Sequence, residues 1–133
     1  MSRALFEFSS LPENLAAVRM FVRQFLKAEG FADRESEALV LGVDEACSNI
    51  IRHAYAAGDP QPISLFCERQ ADRLCFHLRD FGVAVDPAQF SRRPLEQVEP
   101  GGLGLYLIEH IFDEVVYIPQ PLGTELMLVK RLG

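Results

Sequence analysis

The 133-residue chain contains very little lysine and no long apolar run. Lysine occurs only at Lys27 and Lys130, and 19 acidic side chains against 13 basic ones give a formal net charge of −6. Because nucleic-acid binding relies on clustered cationic side chains, this composition argues against direct contact with nucleic acid. No stretch approaches the roughly 18 consecutive apolar residues of a membrane-spanning helix, so we expect no membrane contact.

Paired cysteines are also missing. Cys47, Cys67 and Cys75 are widely spaced, each in an apolar context, and no Cys-x-x-Cys motif occurs. An odd set without metal-ligand spacing predicts reduced core cysteines, with a zinc site not expected. The amino terminus lacks the apolar segment of a signal peptide, and reduced cysteines are typical of the cytoplasm. The sequence therefore predicts a cytoplasmic protein.

The apolar pattern predicts a single α+β domain over residues 1–133, a length that fits one domain with its own core. Helical periodicity and period-two alternation predict three helices and five strands. The helices are expected at 12–30, 33–57 and 103–112, and the strands at 3–8, 63–68, 73–79, 115–118 and 125–129. Adjacent hairpins favour a two-layer α/β sandwich, with a mixed, mostly antiparallel sheet and helices on one face.

Three polar residues share one face of the second predicted helix. Glu45, Asn49 and His53 follow one another at a spacing of four, which is one helical turn. A carboxylate can take a proton or orient a nucleophile, and an amide oxygen beside it is a hard ligand suited to Mg²⁺. A polar stripe on a solvated helix face is the alternative interpretation.

Two glycine-containing segments follow further along the chain. Gly101-Gly102-Leu103-Gly104-Leu105 leads directly into the third predicted helix, where glycine permits close approach to a ligand and the helix N-terminus offers free N–H groups. This arrangement suits a phosphate chain, although a hinge before a core helix is the alternative. Neither the dinucleotide-binding fingerprint nor a P-loop matches the segment.

The other segment places Asp80 at the end of a predicted strand, with Gly82 two residues later. An aspartate there can accept a hydrogen bond from an exocyclic amine such as that of adenine, and the glycine lets the chain turn under a flat ring. An ordinary strand-to-loop turn is the alternative. Residues 81–100 then hold three prolines and no periodicity, and a structureless loop of that length in a small domain is usually functional.

Taken in order, these segments resemble the motifs of the GHKL (Bergerat-fold) ATPase superfamily, and most of all its small bacterial anti-sigma factor serine kinases. The N-box of that family is similar to residues 45–54, and its first glycine box to Asp80-Phe81-Gly82. Its second glycine box is similar to residues 101–108, and its last box to Gly123-Thr124. The resemblance covers nearly the whole chain and implies a histidine kinase-like ATPase domain that binds ATP and Mg²⁺.

The resemblance implies a role for each matching position. Glu45 would be the general base that activates a serine hydroxyl of a protein partner, and Asn49 would hold Mg²⁺. Asp80 would bind the adenine amine with support from Thr124. The other implied nucleotide-binding positions are His53 beside Asn49, Gly82 and Ala84 in the first glycine box, Arg92 or Arg93 in an ATP lid at 83–100, and Gly101, Gly102, Leu103, Gly104 and Leu105 in the second box.

The implied activity is transfer of the ATP γ-phosphoryl group to a serine of a STAS-type anti-anti-sigma factor, by a protein that also sequesters a sigma factor. Members of the family often form homodimers, for which the apolar first helix is a candidate surface. The alternative is a non-catalytic ATP- or ADP-binding interaction module. Ala84 favours the module, because the family usually has glycine there, whereas the presence of Glu45 favours the kinase.

Overall fold

A computed structural model describes residues 2–53, 60–82 and 102–133, with the backbone alone at 53 and 102–106. Two layers form the α+β fold, and every predicted helix and strand is present. The elements in chain order are β1 (Ser2–Ser9), a 3-10 turn (Pro12–Asn14), α1 (Leu15–Ala28), α2 (Asp33–His53), β2 (Pro62–Arg69), β3 (Arg73–Asp80), α3 (Gly102–Ile111), β4 (Glu114–Pro119) and β5 (Thr124–Arg131).

The sheet has the strand order β1-β2-β3-β5-β4. All pairings among these five strands are antiparallel, so the parallel component that a mixed sheet would contain does not occur in the described residues. The final strand is inserted between β3 and β4, away from the sheet edges. This insertion pairs the last residue of β3, Asp80, with the first residue of β5, Thr124.

The core lies between the helices and one face of the sheet. Buried positions alternate along β2 at Ile63, Leu65 and Cys67, as expected for a strand with one face against the core. The even-numbered residues of β3 from Leu74 to Leu78 belong to the same buried cluster. The helices contribute Val18, Val22, Phe25 and Leu26 from α1, and Leu39, Val40, Val43, Ala46, Cys47, Ile50 and Ile51 from α2.

The residues at which the helices begin and end differ by a few positions from the sequence prediction. Helix α1 stops before Gly30, which has φ +85°, a conformation that favours glycine. Helix α2 was expected to reach residue 57, and residues 54–59 lie outside the described part of the chain. Helix α3 begins at Gly102, so residues 102–105 of the glycine-rich segment form its first turn.

The prediction about the cysteines is consistent with the described residues. Cys47, Cys67 and Cys75 are all buried and unpaired, as predicted for reduced cysteines. Within residues 2–53, 60–82 and 102–133, no helix combines the length and the apolar character that crossing a membrane requires.

Candidate functional site

A buried carboxyl group marks the end of β3. Asp80 continues the core-facing alternation of that strand and is only 3% exposed. One carboxylate oxygen, Oδ1, accepts a hydrogen bond of 3.1 Å from the backbone N–H of Gly82. This bond fixes the turn that follows the strand and holds the carboxyl group in one orientation.

The electrostatic environment of this carboxyl group is unusual for an aspartate. Burial raises the pKa of Asp80 above its ordinary value, and three weaker effects act in the opposite direction. They are the backbone N–H group of Gly82, the nearby guanidinium of Arg79 and the backbone N–H group of Thr124. Desolvation outweighs them, so a further hydrogen-bond donor at this carboxylate would be strongly favoured.

The neighbouring residue on β5 has an unsatisfied hydroxyl group. Thr124 is 4% exposed, and its Oγ1 has no hydrogen-bond partner among the described residues. A buried hydroxyl without a partner costs about 1–3 kcal/mol, so such groups normally bond to a ligand or to water. Because Thr124 pairs with Asp80 across the two strands, both polar groups belong to one site.

Glycine is required where β5 approaches the end of β3. Gly123 has φ +81°, and a Cβ atom there would overlap the carbonyl oxygen of Asp80 and lie 2.7 Å from Cα of Phe81. Only glycine satisfies both the backbone conformation and the close approach. The family resemblance includes Gly123, but the physical need for glycine at this position is visible only in the structure.

The polar stripe of α2 is partly inside the protein. Asn49 is 5% exposed, which excludes a solvated helix face as the explanation for this residue, while Glu45 is half-buried. Nη2 of Arg52 donates to Oδ1 of Asn49 at 2.7 Å, and Nη1 of Arg52 donates to Oγ of Ser48 at 2.6 Å. The amide oxygen of Asn49 therefore accepts a hydrogen bond from a cationic group.

The sequence analysis does not include the contact of Arg52 with the polar residues of α2. Side chains three positions apart on a helix are neighbours, so the spacing of Asn49 and Arg52 is the feature of the sequence that could have predicted it. Helix α2 also packs against both β3 and α3. This packing places the helix with Glu45 and Asn49 beside the strand that ends at Asp80 and the helix that begins at Gly102.

The remaining predicted positions divide into two groups. The backbone of His53 forms the last described residue of α2, and Gly102, Leu103, Gly104 and Leu105 form the start of the ten-residue helix α3. That helix N-terminus offers backbone N–H groups, as predicted for a phosphate-binding segment. Ala84, Arg92, Arg93 and Gly101 lie outside the described residues.

The family model of the histidine kinase-like ATPase domain matches residues 8–130, nearly the whole chain. This chain belongs to the histidine kinase-like ATPase family. Membership of an ATPase family supports ATP as the ligand of the chain.

Curated relatives of this ATPase domain include named protein kinases. The protein named serine-protein kinase RsbW from Bacillus cereus is 32% identical over 128 residues, which cover 90% of this chain and 79% of the relative. The protein named serine/threonine-protein kinase BtrW from Bordetella bronchiseptica is 36% identical over 83 residues, or 59% of this chain and 58% of that one.

A solved structure supports the fold of the domain. The crystal structure of the RsbU and RsbW domains of Rv1364c from Mycobacterium tuberculosis superposes on 99% of this chain with a TM-score of 0.72 and 17% identity. The chain spans 32% of the length of that protein chain. At this identity the similarity concerns the fold, and it confirms the two-layer α+β architecture expected from the sequence.

Proposed function

We propose that this chain is a cytoplasmic, ATP-dependent protein serine kinase that also sequesters a sigma factor. Its substrate would be a serine of a STAS-type anti-anti-sigma factor. The alignment with a serine-protein kinase over 90% of the chain supports the enzyme class. The observation that carries nucleotide binding is the buried pair formed by the Asp80 carboxyl group and the Thr124 hydroxyl, which has no partner in the described part of the chain.

Adenine recognition is assigned to this pair. The exocyclic amine of adenine donates hydrogen bonds, and the Asp80 carboxylate is a buried acceptor already oriented by Gly82. The Thr124 hydroxyl can bond to a ring nitrogen or to a water that bridges to it. Binding would then satisfy a polar atom that has no partner among the described residues, which gives the site a physical reason to favour the ligand.

Replacing Asp80 with asparagine should weaken ADP binding. A hydrogen bond to a charged group contributes about 1.5–3 kcal/mol, which corresponds to a roughly 10- to 150-fold increase in Kd. Calorimetry on both proteins measures the change. Asp72→Asn is the matched control, because Asp72 is exposed just before the opposite end of the same strand. Equal affinity of Asp80→Asn and wild type would remove Asp80 from the adenine site.

Nucleotide affinity should also depend on pH through Asp80. The pKa of this carboxyl group is raised by burial, so it takes up a proton at a higher pH than an ordinary aspartate. The proton competes with the adenine amine for the carboxylate, and affinity should fall as the pH is lowered from neutral. Calorimetry on wild type and Asp80→Asn isolates this effect, since titration of the nucleotide itself is common to both. Parallel pH profiles would contradict the assignment.

The phosphate side of the site is assigned to α2 and α3. Asn49 would hold Mg²⁺ through its amide oxygen, and the ion would supply charge neutralisation on the phosphates. An amide oxygen is a hard donor suited to Mg²⁺, and the Arg52 guanidinium that donates to it in this structure would move aside when the ion binds. The N-terminus of α3 at Gly102 would donate backbone N–H groups to phosphate oxygens, so no dedicated lysine is needed.

The other proposed contacts follow from the family resemblance. His53 would orient the surroundings of Asn49, Gly82 and Ala84 would form the first glycine box, and Gly101 would contact the phosphates. Residues 83–100 would form the ATP lid, with Arg92 reaching the γ-phosphate. A homodimer is also proposed, with α1 as the candidate surface because Met20 on this helix is 54% exposed.

Phosphate transfer to a purified STAS-type partner tests the kinase proposal directly. With labelled ATP and Mg²⁺, the wild-type chain should label one serine of the partner, and changing that serine to alanine should abolish the signal. Retained ADP binding and sigma-factor capture without transfer to any such partner would instead establish the non-catalytic module.

A further inference from the structure

The face of the sheet opposite Asp80 carries a second group of chemically reactive side chains. Glu68 of β2 and Cys75 of β3 are direct cross-strand partners, and His77 lies two residues further along β3 on the same face. One ligand atom from each of the three lies within 4.8 Å of the other two. Cys75 is 1% exposed, yet it is not part of the main core cluster on the helix side.

Two carboxylates flank the imidazole of His77. Nε2 of His77 lies 3.8 Å from Oε1 of Glu68, and Nδ1 lies 3.6 Å from Oε1 of Glu125 on the neighbouring strand β5. A histidine that binds a metal through one nitrogen usually donates its other N–H to a carboxylate, which fixes the tautomer and the ring orientation. Glu125 lies where its carboxylate could accept that hydrogen bond from Nδ1 of His77.

We propose that Glu68, Cys75 and His77 bind a divalent transition-metal ion of the zinc type, at a site separate from the nucleotide. Zinc bonds of about 2.0–2.3 Å place tetrahedral ligand atoms roughly 3.3–3.8 Å apart. The three ligand atoms are already within 4.8 Å, so side-chain adjustments on the order of 1 Å complete the geometry. One coordination position is left for water or an external ligand.

The carboxylate of Glu68 is held in place by its neighbours. Nε2 of Gln70 donates to Oε1 of Glu68 at 3.0 Å, and Nε of Arg3 lies 3.6 Å from Oε2. These contacts orient Oε1 toward the histidine and leave it a free lone pair, since a carboxylate oxygen accepts more than one bond. The ligands stand on two paired strands of a rigid sheet, which reduces the entropy lost on binding.

Sulfur and charge select the type of ion. Burial raises the pKa of the Cys75 thiol, with Arg73 acting in the opposite direction and the Glu68 carboxylate adding to the rise. Metal binding would break the S–H bond, form a sulfur–metal bond and release the proton to solvent. The resulting thiolate and the Glu68 carboxylate would balance the two positive charges of the ion. Thiolate and imidazole ligands favour zinc-type ions over Mg²⁺.

The three ligands follow no metal-binding spacing along the chain, so the sequence alone does not predict this site. Cys75 and His77 are separated by one residue, as expected for two side chains on the same face of a strand. Glu68 joins them only through the antiparallel register of β2 and β3. Binding would link these two strands and stabilise the hairpin that ends at Asp80.

Cobalt(II) titration of the nucleotide-free protein tests the site, because a thiolate ligand gives Co²⁺ a charge-transfer absorption in the near ultraviolet. We expect one equivalent to produce this band and Zn²⁺ to abolish it by displacement. A large excess of Mg²⁺ should leave the band unchanged. The band should be lost in Cys75→Ser and retained in Cys67→Ala, since Cys67 lies in the core on the opposite face of the sheet.

Two variants at less buried positions keep the test decisive if Cys75→Ser folds poorly. His77→Gln should weaken Co²⁺ binding by at least the 10- to 100-fold typical of metal-site perturbations, and Glu125→Gln should weaken it within that range by loosening the histidine. Zn²⁺ should raise the melting temperature of wild type and have a much smaller effect on His77→Gln. Absence of the band in wild type, its loss in Cys67→Ala, or equal affinity of wild type and His77→Gln would overturn the proposal.

Discussion

Glu45→Ala should lower the rate of phosphate transfer to the partner serine by roughly 10²–10⁴-fold, the usual contribution of a positioned general base. ADP affinity and partner binding should remain close to wild type, because in the proposed site Glu45 contacts neither adenine nor phosphate. Glu45 is half-buried on the same helix as the buried Asn49 and precedes it by one turn. In the proposed site, this helix would carry the general base and the metal ligand on two side chains one turn apart.

The comparison with Asn49→Ala makes this prediction specific. That variant should lose Mg²⁺-dependent nucleotide binding and transfer together, and it also removes the acceptor of the Arg52 hydrogen bond. Glu37→Ala is the matched control, since Glu37 is an exposed residue of α2 whose ion pair with Arg23 lies at the surface. An exposed ion pair contributes little to stability, so this variant should transfer at the wild-type rate.

Single-turnover transfer from labelled ATP, measured beside calorimetry with ADP, separates the chemical step from binding. If Glu45→Ala transfers as fast as wild type, Glu45 is a structural carboxylate and another group must act as the base. If Glu45→Ala and Asn49→Ala lose nucleotide affinity equally, the proposed division of roles on α2 is wrong.

Local patterns were enough to predict the elements of this fold. Alternation at period two identified the hairpin of β2 and β3, the Pro- and Gly-containing segment 119–123 separated the last two strands, and apolar patterns identified the three helices. The sheet order was not predictable in the same way, because β5 pairs with β3 across a long stretch of sequence. The contact between Asp80 and Thr124 is a product of that pairing, and without it Asp80 would be an ordinary end of a strand.

The candidate site shows the same division between local and non-local information. The spacing of four predicts that Glu45 and Asn49 lie on one face of α2. Burial of Asn49, however, depends on how α2 packs against its neighbours. The hydrogen bond from Arg52 to Asn49 joins residues three positions apart on a helix, so the spacing alone makes it predictable. The unpartnered hydroxyl of Thr124 could not be predicted, because a buried polar atom is defined by the complete three-dimensional surroundings.

Gly123→Ala should reduce both the stability of the domain and its affinity for nucleotide. A non-glycine residue in the left-handed region costs about 1–2 kcal/mol, and forcing an extra methyl group into a packed site typically adds about 1–3 kcal/mol. Both costs apply at Gly123, where φ is +81° and the new Cβ would overlap the carbonyl oxygen of Asp80. We expect a total loss of roughly 2–5 kcal/mol in the free energy of unfolding.

Gly30→Ala is the matched control for this prediction. Gly30 has a similar φ of +85°, but among the described residues beyond its chain neighbours no atom lies within 4 Å of the position that a Cβ would occupy. This variant should therefore show the conformational cost of about 1–2 kcal/mol alone and should bind ADP as wild type does. Urea denaturation measures the two free energies of unfolding, and calorimetry measures the two affinities.

The difference between the two glycine variants isolates the contact between β3 and β5. To relieve the overlap, the backbone at Asp80 and Phe81 must move away from Gly123, and the Asp80 carboxyl group must move with it. Gly123→Ala should consequently bind ADP at least as weakly as Asp80→Asn. If both glycine variants lose the same stability and both bind ADP normally, the close approach of the two strands does not position the adenine site.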